Sequence, residues 1–206
     1  MKKLKMVFAS ASAGKIAEIK YLIDKKLDGI EVELLSLKDV GFTDEIVEDG
    51  GTFEANAEIK ARAVFEKTGL ICFGDDSGLC VDYLDGGPGV DSAMYGSVAG
   101  ERPDMDISID KLLGELEGVP EDKRGAHFCC VIYCVVSESE SFCVTGRCDG
   151  SITRERFGKG GFGYDPVFSY APAGKTFAQM TDGEKNKVSH RALALELFAE
   201  NIVRYV

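Results

Sequence analysis

The stretch VFASASAGKIAEIK, from Val7 to Lys20, places a strand, a loop of small residues and a helix in immediate succession. The apolar run from Lys5 to Ser10 is continuous, which is typical of a strand covered on both faces of a sheet. The residues that follow place their apolar side chains on one side of a helix, at Ile16, Ile19, Leu22 and Ile23. The segment therefore predicts an α/β sheet that begins with a strand–loop–helix unit.

The loop of this unit has the outline of a phosphate-binding loop. Lys15 falls in the first turn of the helix, where unpaired backbone N–H groups already favour an anion. The loop is not a P-loop, because no glycine opens it and Ile16 stands where a serine or threonine would hold magnesium. We expect this loop to bind phosphate and another part of the chain to supply the metal ligands.

Composition limits the classes of function. With 206 residues, 45% of them hydrophobic, the chain can form one compact domain or two lobes. Its formal net charge of -11 disfavours a nucleic-acid polymer as a partner but allows a single nucleotide. No stretch has the apolar length needed to span a bilayer. The first residues, MKKLKMVF, are interpreted as a first strand, not a signal peptide, in a cytoplasmic protein.

The seven cysteines include no CxxC pair. Zinc sites use closer, paired spacing. Buried free thiols in a reducing compartment are therefore the expected state of these residues.

Further along the chain, helices and strands alternate and strands then cluster. A helix capped by Thr52 and ended by Gly69 precedes a strand–turn–strand segment, LICFGDDSGLCVDYLDGGPGV. A helix near DISIDKLLGELEG, an antiparallel hairpin across SESES and a final helix from about Ser189 follow. The pattern predicts a mixed α/β sheet with a second lobe rich in hairpins.

The first candidate chemical group is the carboxylate pair Asp75–Asp76. Neighbouring strand residues point to opposite faces, so both could reach one metal only if a turn intervened. Asp75 shares its face with bulky Ile71 and Phe73, whereas Asp76 shares the less crowded face with Cys72 and Gly74. This parity favours an enclosed, hydrogen-bonded Asp75 and an Asp76 that faces a cleft. The alternative is an ordinary DDSG turn.

Other polar segments allow more than one interpretation. Glu48 lies before a glycine pair and a helix start, and it is either a magnesium ligand or part of a solvated loop. Lys60 lies on the same helical face as Asn56. This polar face either has a function or is an ordinary polar face of a helix. In GKGGFGYDPVF, the glycines and the rings of Phe162 and Tyr164 fit either contact with a base or a turn packed into the core. Arg191 opens the final helix and needs either a ligand or a salt bridge.

Taken together, FASASAGKIAEI, EDGGTFEANAEIKARA, GDDSGLCVDYLDGGPGVDSAMY, GGFGYDPVF and EKNKVSHRALAL resemble the inosine triphosphate pyrophosphatase family, in the family's order and over nearly the whole chain. The resemblance implies a single domain over residues 1–206 with an elongated mixed α/β sheet and a central cleft between two lobes. It also implies Mg²⁺-dependent hydrolysis of ITP, dITP and XTP to the monophosphate and pyrophosphate. A homodimer is implied as well.

The resemblance also assigns roles by position. Glu48 and Asp76 correspond to the magnesium ligands, and Asp76 also to the catalytic proton acceptor. The segment that corresponds to the triphosphate loop comprises Ser10, Ala11, Ser12, Ala13, Gly14 and Lys15. The remaining substrate contacts correspond to Lys60 and Ser77 near the phosphates, to Phe162, Gly163, Tyr164 and Asp165 beside the base, and to Lys185, His190 and Arg191 on the base and sugar side.

Two positions depart from the family pattern. Ser12 replaces an asparagine, so a single hydroxyl donor takes the place of an amide. Met94 replaces the arginine of the family's SARY segment. The Ser10-x-Ser12 pattern also occurs in the related Maf-like pyrophosphatases, which act on other nucleotides, but there Pro-Arg-Arg follows, whereas Ala13-Gly14-Lys15 follows here. A nucleotide-binding regulator without catalysis is the remaining alternative.

Overall fold

The computed structural model describes residues 2–27, 29–97 and 103–206. Within these residues, seven strands form one mixed sheet in the order β2-β1-β3-β4-β5-β6-β7. The strands are β1 (Lys2–Phe8), β2 (Ile30–Leu35), β3 (Ile71–Val81), β4 (Gly125–Val135), β5 (Ser141–Ile152), β6 (Phe168–Tyr170) and β7 (Lys175–Thr176). The helices are α1 (Ala13–Lys26), α2 (Phe53–Thr68), α3 (Met105–Glu115), α4 (Asp182–Lys185) and α5 (His190–Ile202). The predicted mixed α/β class is confirmed.

The chain divides into two compact units. Unit 1 contains Met1–Asp76, Cys130–Gly146 and Arg191–Val206, and unit 2 contains Ser77–Cys129 and Arg147–His190. The predicted single domain with two lobes stays a prediction.

In unit 1, β1 pairs in parallel with β2 on one side and with β3 on the other. Met6 and Phe8 pack with Ile19 of α1 and Phe198 of α5 in one core cluster. Val7 packs in a second cluster with Val64 of α2 and with Cys72. Both faces of β1 are therefore covered, as its continuous apolar run predicts.

In unit 2, β5 pairs antiparallel with β6, and β6 pairs antiparallel with β7. Its core cluster includes Leu79 of β3, Leu112 of α3, Phe128 of β4, Phe168 of β6 and the buried Phe177. These antiparallel pairs match the predicted hairpin-rich part of the chain.

The helix limits predicted from capping residues are correct for α2. The Thr52 hydroxyl accepts a hydrogen bond from the Ala55 N–H at 3.1 Å, and Gly69 closes the helix with a φ of 64°. The final helix begins at His190, next to the predicted start at Ser189. One expectation was wrong: residues 71–81 form one continuous strand, with no turn at DDSG. Buried, paired aspartates allow the strand to continue through a segment whose composition is typical of turns.

All seven cysteines are free, and Cys72, Cys130, Cys134 and Cys148 are buried. The other three are half-buried, so the expectation of burial holds for only part of the set. Within the described residues, no helix is both long and apolar enough to cross a membrane.

Candidate active site

The polar groups of unit 1 gather where β3 meets α1 and α2. Asp75 and Asp76 lie on successive positions of β3, so their side chains leave opposite faces of the strand. Asp75 contacts Lys15 of α1, whereas Asp76 contacts Asn56 and Lys60 of α2. The prediction that the two aspartates leave opposite faces is confirmed, because the strand is continuous between them. Asp76 is buried, and the prediction that it faces a cleft stays a prediction.

On the α2 side, one ammonium group joins two carboxylates. Nζ of Lys60 lies 2.5 Å from Oε2 of Glu48 and 3.4 Å from Oδ1 of Asp76. The amide nitrogen of Asn56 donates to Oδ2 of Asp76 at 3.1 Å, and its oxygen accepts the Gly50 N–H at 2.9 Å. Asn56 thus ties the acidic loop that carries Glu48 to the strand that carries Asp76. Asn56 lies on the same face of α2 as Lys60, as the sequence predicted. Its link between the acidic loop and β3 was not predicted.

Gly74 allows this approach of helix and strand. A Cβ atom at this position would lie 2.6 Å from the carbonyl oxygen of Ala57 and 2.9 Å from Cβ of Lys60. Real Cβ contacts are not this short, so only glycine permits α2 to pack so closely on β3. The close packing places the Lys60 ammonium beside Asp76.

The environment of Asp76 suits a proton acceptor. Its side chain is largely buried, and burial raises the pKa of this carboxyl above its ordinary value, although the charge of Lys60 and the hydrogen bond from Asn56 oppose the shift. A carboxylate with a raised pKa accepts a proton from water more readily.

The donor chemistry of this pair fits a hard divalent cation. Glu48 and Asp76 provide carboxylate oxygens, and they already converge on one positive charge. Magnesium is commonly held by one or two carboxylates and completes its shell with water and substrate phosphate. In residues 2–27, 29–97 and 103–206, no group of three or more His, Cys, Asp or Glu side chains is arranged to hold a metal. Glu48 and Asp76 are a pair of carboxylates that could hold such a cation.

On the α1 side, Lys15 contacts both oxygens of Asp75, at 3.0 and 2.9 Å. Burial acts to raise the pKa of Asp75, but the charges of Lys15 and Arg191 outweigh it and hold the pKa below its ordinary value. Asp75 is therefore an ionised counter-charge in the interior, as the expectation of an enclosed, hydrogen-bonded residue requires.

The loop before α1 has the geometry of a helix cap. The Ser12 hydroxyl accepts from the Lys15 N–H at 3.5 Å, and the Ser10 hydroxyl accepts from the Ser12 N–H at 3.2 Å. Ala11 and Gly14 are exposed, and Ala13 begins the helix. Asparagine and serine are both good N-cap residues, so the Ser12 departure preserves the helix start.

Arg191 lies in unit 1, where its Nη1 atom is 2.5 Å from Oε2 of Glu18 and its Nε atom is 3.6 Å from Oδ2 of Asp75. The guanidinium is buried, and although burial acts to lower the pKa of Arg191, the charges of Glu18 and Asp75 raise it. These contacts agree with the salt-bridge alternative, and the base-side role stays a prediction. No local pattern marks Glu18, which lies 173 positions away, as the partner of Arg191.

Unit 2 contains the remaining candidates, and Asp165 organises them. Its Oδ2 atom accepts from Nζ of Lys185 at 2.5 Å and from the Phe162 N–H at 2.8 Å. Nζ of Lys185 also lies 4.6 Å from the centre of the Phe162 ring, which is 48% exposed. Gly161 has a φ of +72°, and a Cβ there would lie 2.0 Å from Oδ2 of Asp165. The loop is thus held around a buried carboxylate and presents one open aromatic ring.

Two other residues of unit 2 are core residues. The Tyr164 hydroxyl donates to the Ser92 carbonyl at 2.8 Å, and burial raises the pKa of Tyr164 to about 12. The ring of His190 stacks on Phe128 at 4.7 Å. The core-packing alternative therefore holds for Tyr164, whereas Phe162 keeps the exposure that stacking needs. Ser77 follows Asp76 on β3 and is half-buried, and Gly163 has a φ of +63°.

The sequence and the fold both match known proteins. The model of the Ham1 family matches residues 6–201. A dITP/XTP pyrophosphatase of Bacillus licheniformis is 46% identical over 191 residues, which cover 93% of this chain and 94% of the relative. Among solved structures, a HAM1 protein from Coxiella burnetii has a TM-score of 0.87 at 37% identity and covers 98% of this chain and 99% of its own. The nucleoside-triphosphatase, or dITP/XTP pyrophosphatase, of Mycobacterium abscessus has a TM-score of 0.76 at 41% identity, over 95% and 98% of the two chains. Since both the family model and these relatives span nearly the whole chain, the protein belongs to the Ham1 family.

Proposed function

We infer that this protein hydrolyses non-standard purine nucleoside triphosphates, namely ITP, dITP and XTP, to the monophosphate and pyrophosphate. The observation that carries the inference is the convergence of Glu48 and Asp76 on one ammonium group, in a chain whose relatives are named dITP/XTP pyrophosphatases. Such an activity removes these nucleotides from the precursor pool.

We propose that Glu48 and Asp76 hold Mg²⁺ when substrate is bound. A divalent cation supplies charge neutralisation for phosphate oxygens in reactions of this kind. The Lys60 ammonium contacts both carboxylates, and it is carried on a flexible four-carbon stem. It therefore exchanges a carboxylate partner for a phosphate oxygen as the substrate arrives.

Asp76 is the proposed proton acceptor. Its carboxylate takes a proton from a water molecule, whose oxygen forms a bond to the α-phosphorus while the bond from that phosphorus to the bridging oxygen breaks. The electron pair leaves with pyrophosphate. Lys15 and Lys60 stabilise the phosphate oxygens, and fixed charges of this kind provide most of the acceleration in phosphoryl chemistry.

The base-side assignments remain predictions drawn from the resemblance, and they are tested one residue at a time. Phe162 is suited to stacking because half of its ring is exposed while Lys185 covers part of it. We expect Phe162→Ala to raise KM for ITP, with Phe157→Ala, at a comparably exposed phenylalanine, as the control.

The decisive experiment is incubation with Mg²⁺ and separate samples of ITP, dITP, XTP, GTP, ATP, UTP and dTTP, with pyrophosphate and orthophosphate measured independently. Pyrophosphate from ITP, dITP or XTP is the expected result. Activity confined to UTP or dTTP supports the Maf-like alternative. Orthophosphate alone means that a different bond is cut, and the absence of turnover supports a regulator.

We also propose that the protein is a homodimer, as the resemblance implies. Sedimentation velocity at micromolar concentration should give twice the 22.3 kDa mass of one chain. A single species at the mass of one chain contradicts this proposal and leaves the proposed chemistry unaffected.

A further inference from the structure

Unit 1 contains a line of alternating charges that ends at the phosphate loop. Glu18 contacts Arg191 at 2.5 Å, Arg191 lies 3.6 Å from Asp75, and Asp75 contacts Lys15 at 2.9 Å. The line joins α1 to the first residues of α5 and to the middle of β3. We call these four residues the charge line.

Burial is greatest in the middle of the charge line. The side chains of Arg191 and Asp75 are 1% and 0% exposed, whereas those of Glu18 and Lys15 are 11% and 20% exposed. Charges in the interior are costly unless each is paired with an opposite charge. Each inner member here lies between two opposite charges, and Lys15 is the end most open to solvent.

Global stability alone is a weak reason for such an arrangement. Buried ion pairs are often replaced by apolar groups with no loss of stability. A lysine on a flexible stem, by contrast, loses conformational entropy when it is fixed on a ligand, and that cost falls if the protein has already fixed it. Asp75 holds the Lys15 ammonium through both of its carboxylate oxygens.

We propose that Glu18 and Arg191 are positioning residues that act through Asp75 to hold the Lys15 ammonium ready for the triphosphate. The proposal rests on the phosphate-binding role of Lys15 in the proposed function. Glu18 draws the guanidinium of Arg191 toward itself. Without that charge Arg191 competes with Lys15 for the oxygens of Asp75, and the ammonium of Lys15 loses its fixed place.

The test is Glu18→Gln, which keeps the shape of the side chain and removes its charge. Since a flexible side chain that is not held in place beforehand loses conformational entropy when it binds a ligand, KM for ITP should rise about two- to tenfold. The Kd of a non-hydrolysable ITP analogue, measured by calorimetry, should rise by the same factor. The control is Asp24→Asn, which removes a charge from an exposed position on the same helix and should leave both values unchanged.

A double-mutant cycle separates positioning from a general structural effect. If Glu18 acts through Lys15, then Glu18→Gln should change KM no further in a Lys15→Gln background. An equal increase in both backgrounds overturns the proposal, as does an unchanged KM in the single variant. If Lys15→Gln itself leaves KM unchanged, the role of Lys15 in the proposed function fails and the positioning proposal fails with it.

A second variant covers the case in which Glu18→Gln is too unstable to assay. Glu18→Asp keeps the charge and withdraws it by one methylene group from Arg191. KM should lie between the values for the wild type and for Lys15→Gln. An increase in KM of the same size when Glu18→Asp is placed in the Lys15→Gln background, or a KM above that of Lys15→Gln, overturns the proposal.

Discussion

At the scale of single residues, the two adjacent aspartates of β3 have different tasks because they leave opposite faces of one strand. Asp75 is a buried counter-charge for Lys15 and Arg191, whereas Asp76 lies beside Lys60 and Asn56 with a raised pKa. The proposed chemistry requires Asp76, and we expect the stability of unit 1 to depend on Asp75. Substitution of each by asparagine therefore has a different expected result.

Asp76→Asn should lower kcat about 10²- to 10⁴-fold, because the amide cannot accept the proton of the attacking water. The side chain keeps its size, so the melting temperature should change little. Steady-state pyrophosphate release measures the change in kcat, and thermal melting measures the change in melting temperature. Turnover within a few-fold of the wild type removes Asp76 from the mechanism.

Asp75→Asn should instead destabilise the protein by about 3–5 kcal/mol, because it leaves buried positive charge with too little negative charge beside it. Denaturant unfolding at neutral pH measures the effect. An unfolding free energy equal to that of the wild type means that the charges of Lys15 and Arg191 do not need the Asp75 carboxylate as a counter-charge.

At the scale of elements, the close packing of α2 on β3 determines where Lys60 lies. Gly74→Ala introduces a methyl group 2.6 Å from the Ala57 carbonyl oxygen, so the helix must shift. We expect a loss of about 1–3 kcal/mol, as for other overpacked sites, together with a fall in kcat/KM. Chemical denaturation and ITP kinetics measure both.

The matched control is Gly114→Ala in α3, where an added Cβ meets no atom within 4 Å. Alanine is the better helix former, so this variant should gain about 0.5–1 kcal/mol and keep its activity. Equal stability changes in the two alanine variants contradict the packing argument.

The helices and strands also show which parts of the fold could be predicted from local sequence signals. The limits of α2 follow from local signals at Thr52 and Gly69, and the covered β1 follows from its apolar run. The DDSG segment was misinterpreted as a turn, because a tertiary charge network and not local propensity keeps β3 continuous there. Parity still identified the faces of Asp75 and Asp76, since that argument depends only on extended backbone.

The site was harder to predict wherever partners are distant in the chain. The pairing of Glu18 with Arg191 spans 173 positions, and nothing local marks Glu18 as different from other helical glutamates. The ring of Tyr164 can lie in the core because its hydroxyl donates a hydrogen bond to the Ser92 carbonyl. The glycine-rich sequence around Tyr164 does not indicate this distant partner. Glu48 and Asp76, in contrast, were identified from family position and were found on one ammonium group.

At the scale of the whole molecule, the stability of the protein at acidic pH should depend on the ionisation of Asp75 in the charge line. The pKa of Asp75 is held below its ordinary value of 3.8, so its ionised form stabilises the fold at every pH above that value. This contribution is lost as the pH falls through 3.8 toward the lower folded-state pKa. The difference in melting temperature between the wild type and Asp75→Asn should therefore be constant near neutrality and shrink below about pH 4. A difference that does not change with pH contradicts the assignment of Asp75 as an ionised group.

The central claim is that Glu48 and Asp76 hold one divalent cation together with the triphosphate. The most direct measurement is anomalous diffraction from crystals grown with Mn²⁺ and a non-hydrolysable α,β-substituted ITP analogue. The account predicts one manganese peak in contact with a carboxylate oxygen of each residue and with a phosphate oxygen. A manganese ion bound elsewhere, with Lys60 still joining the two carboxylates, would contradict it.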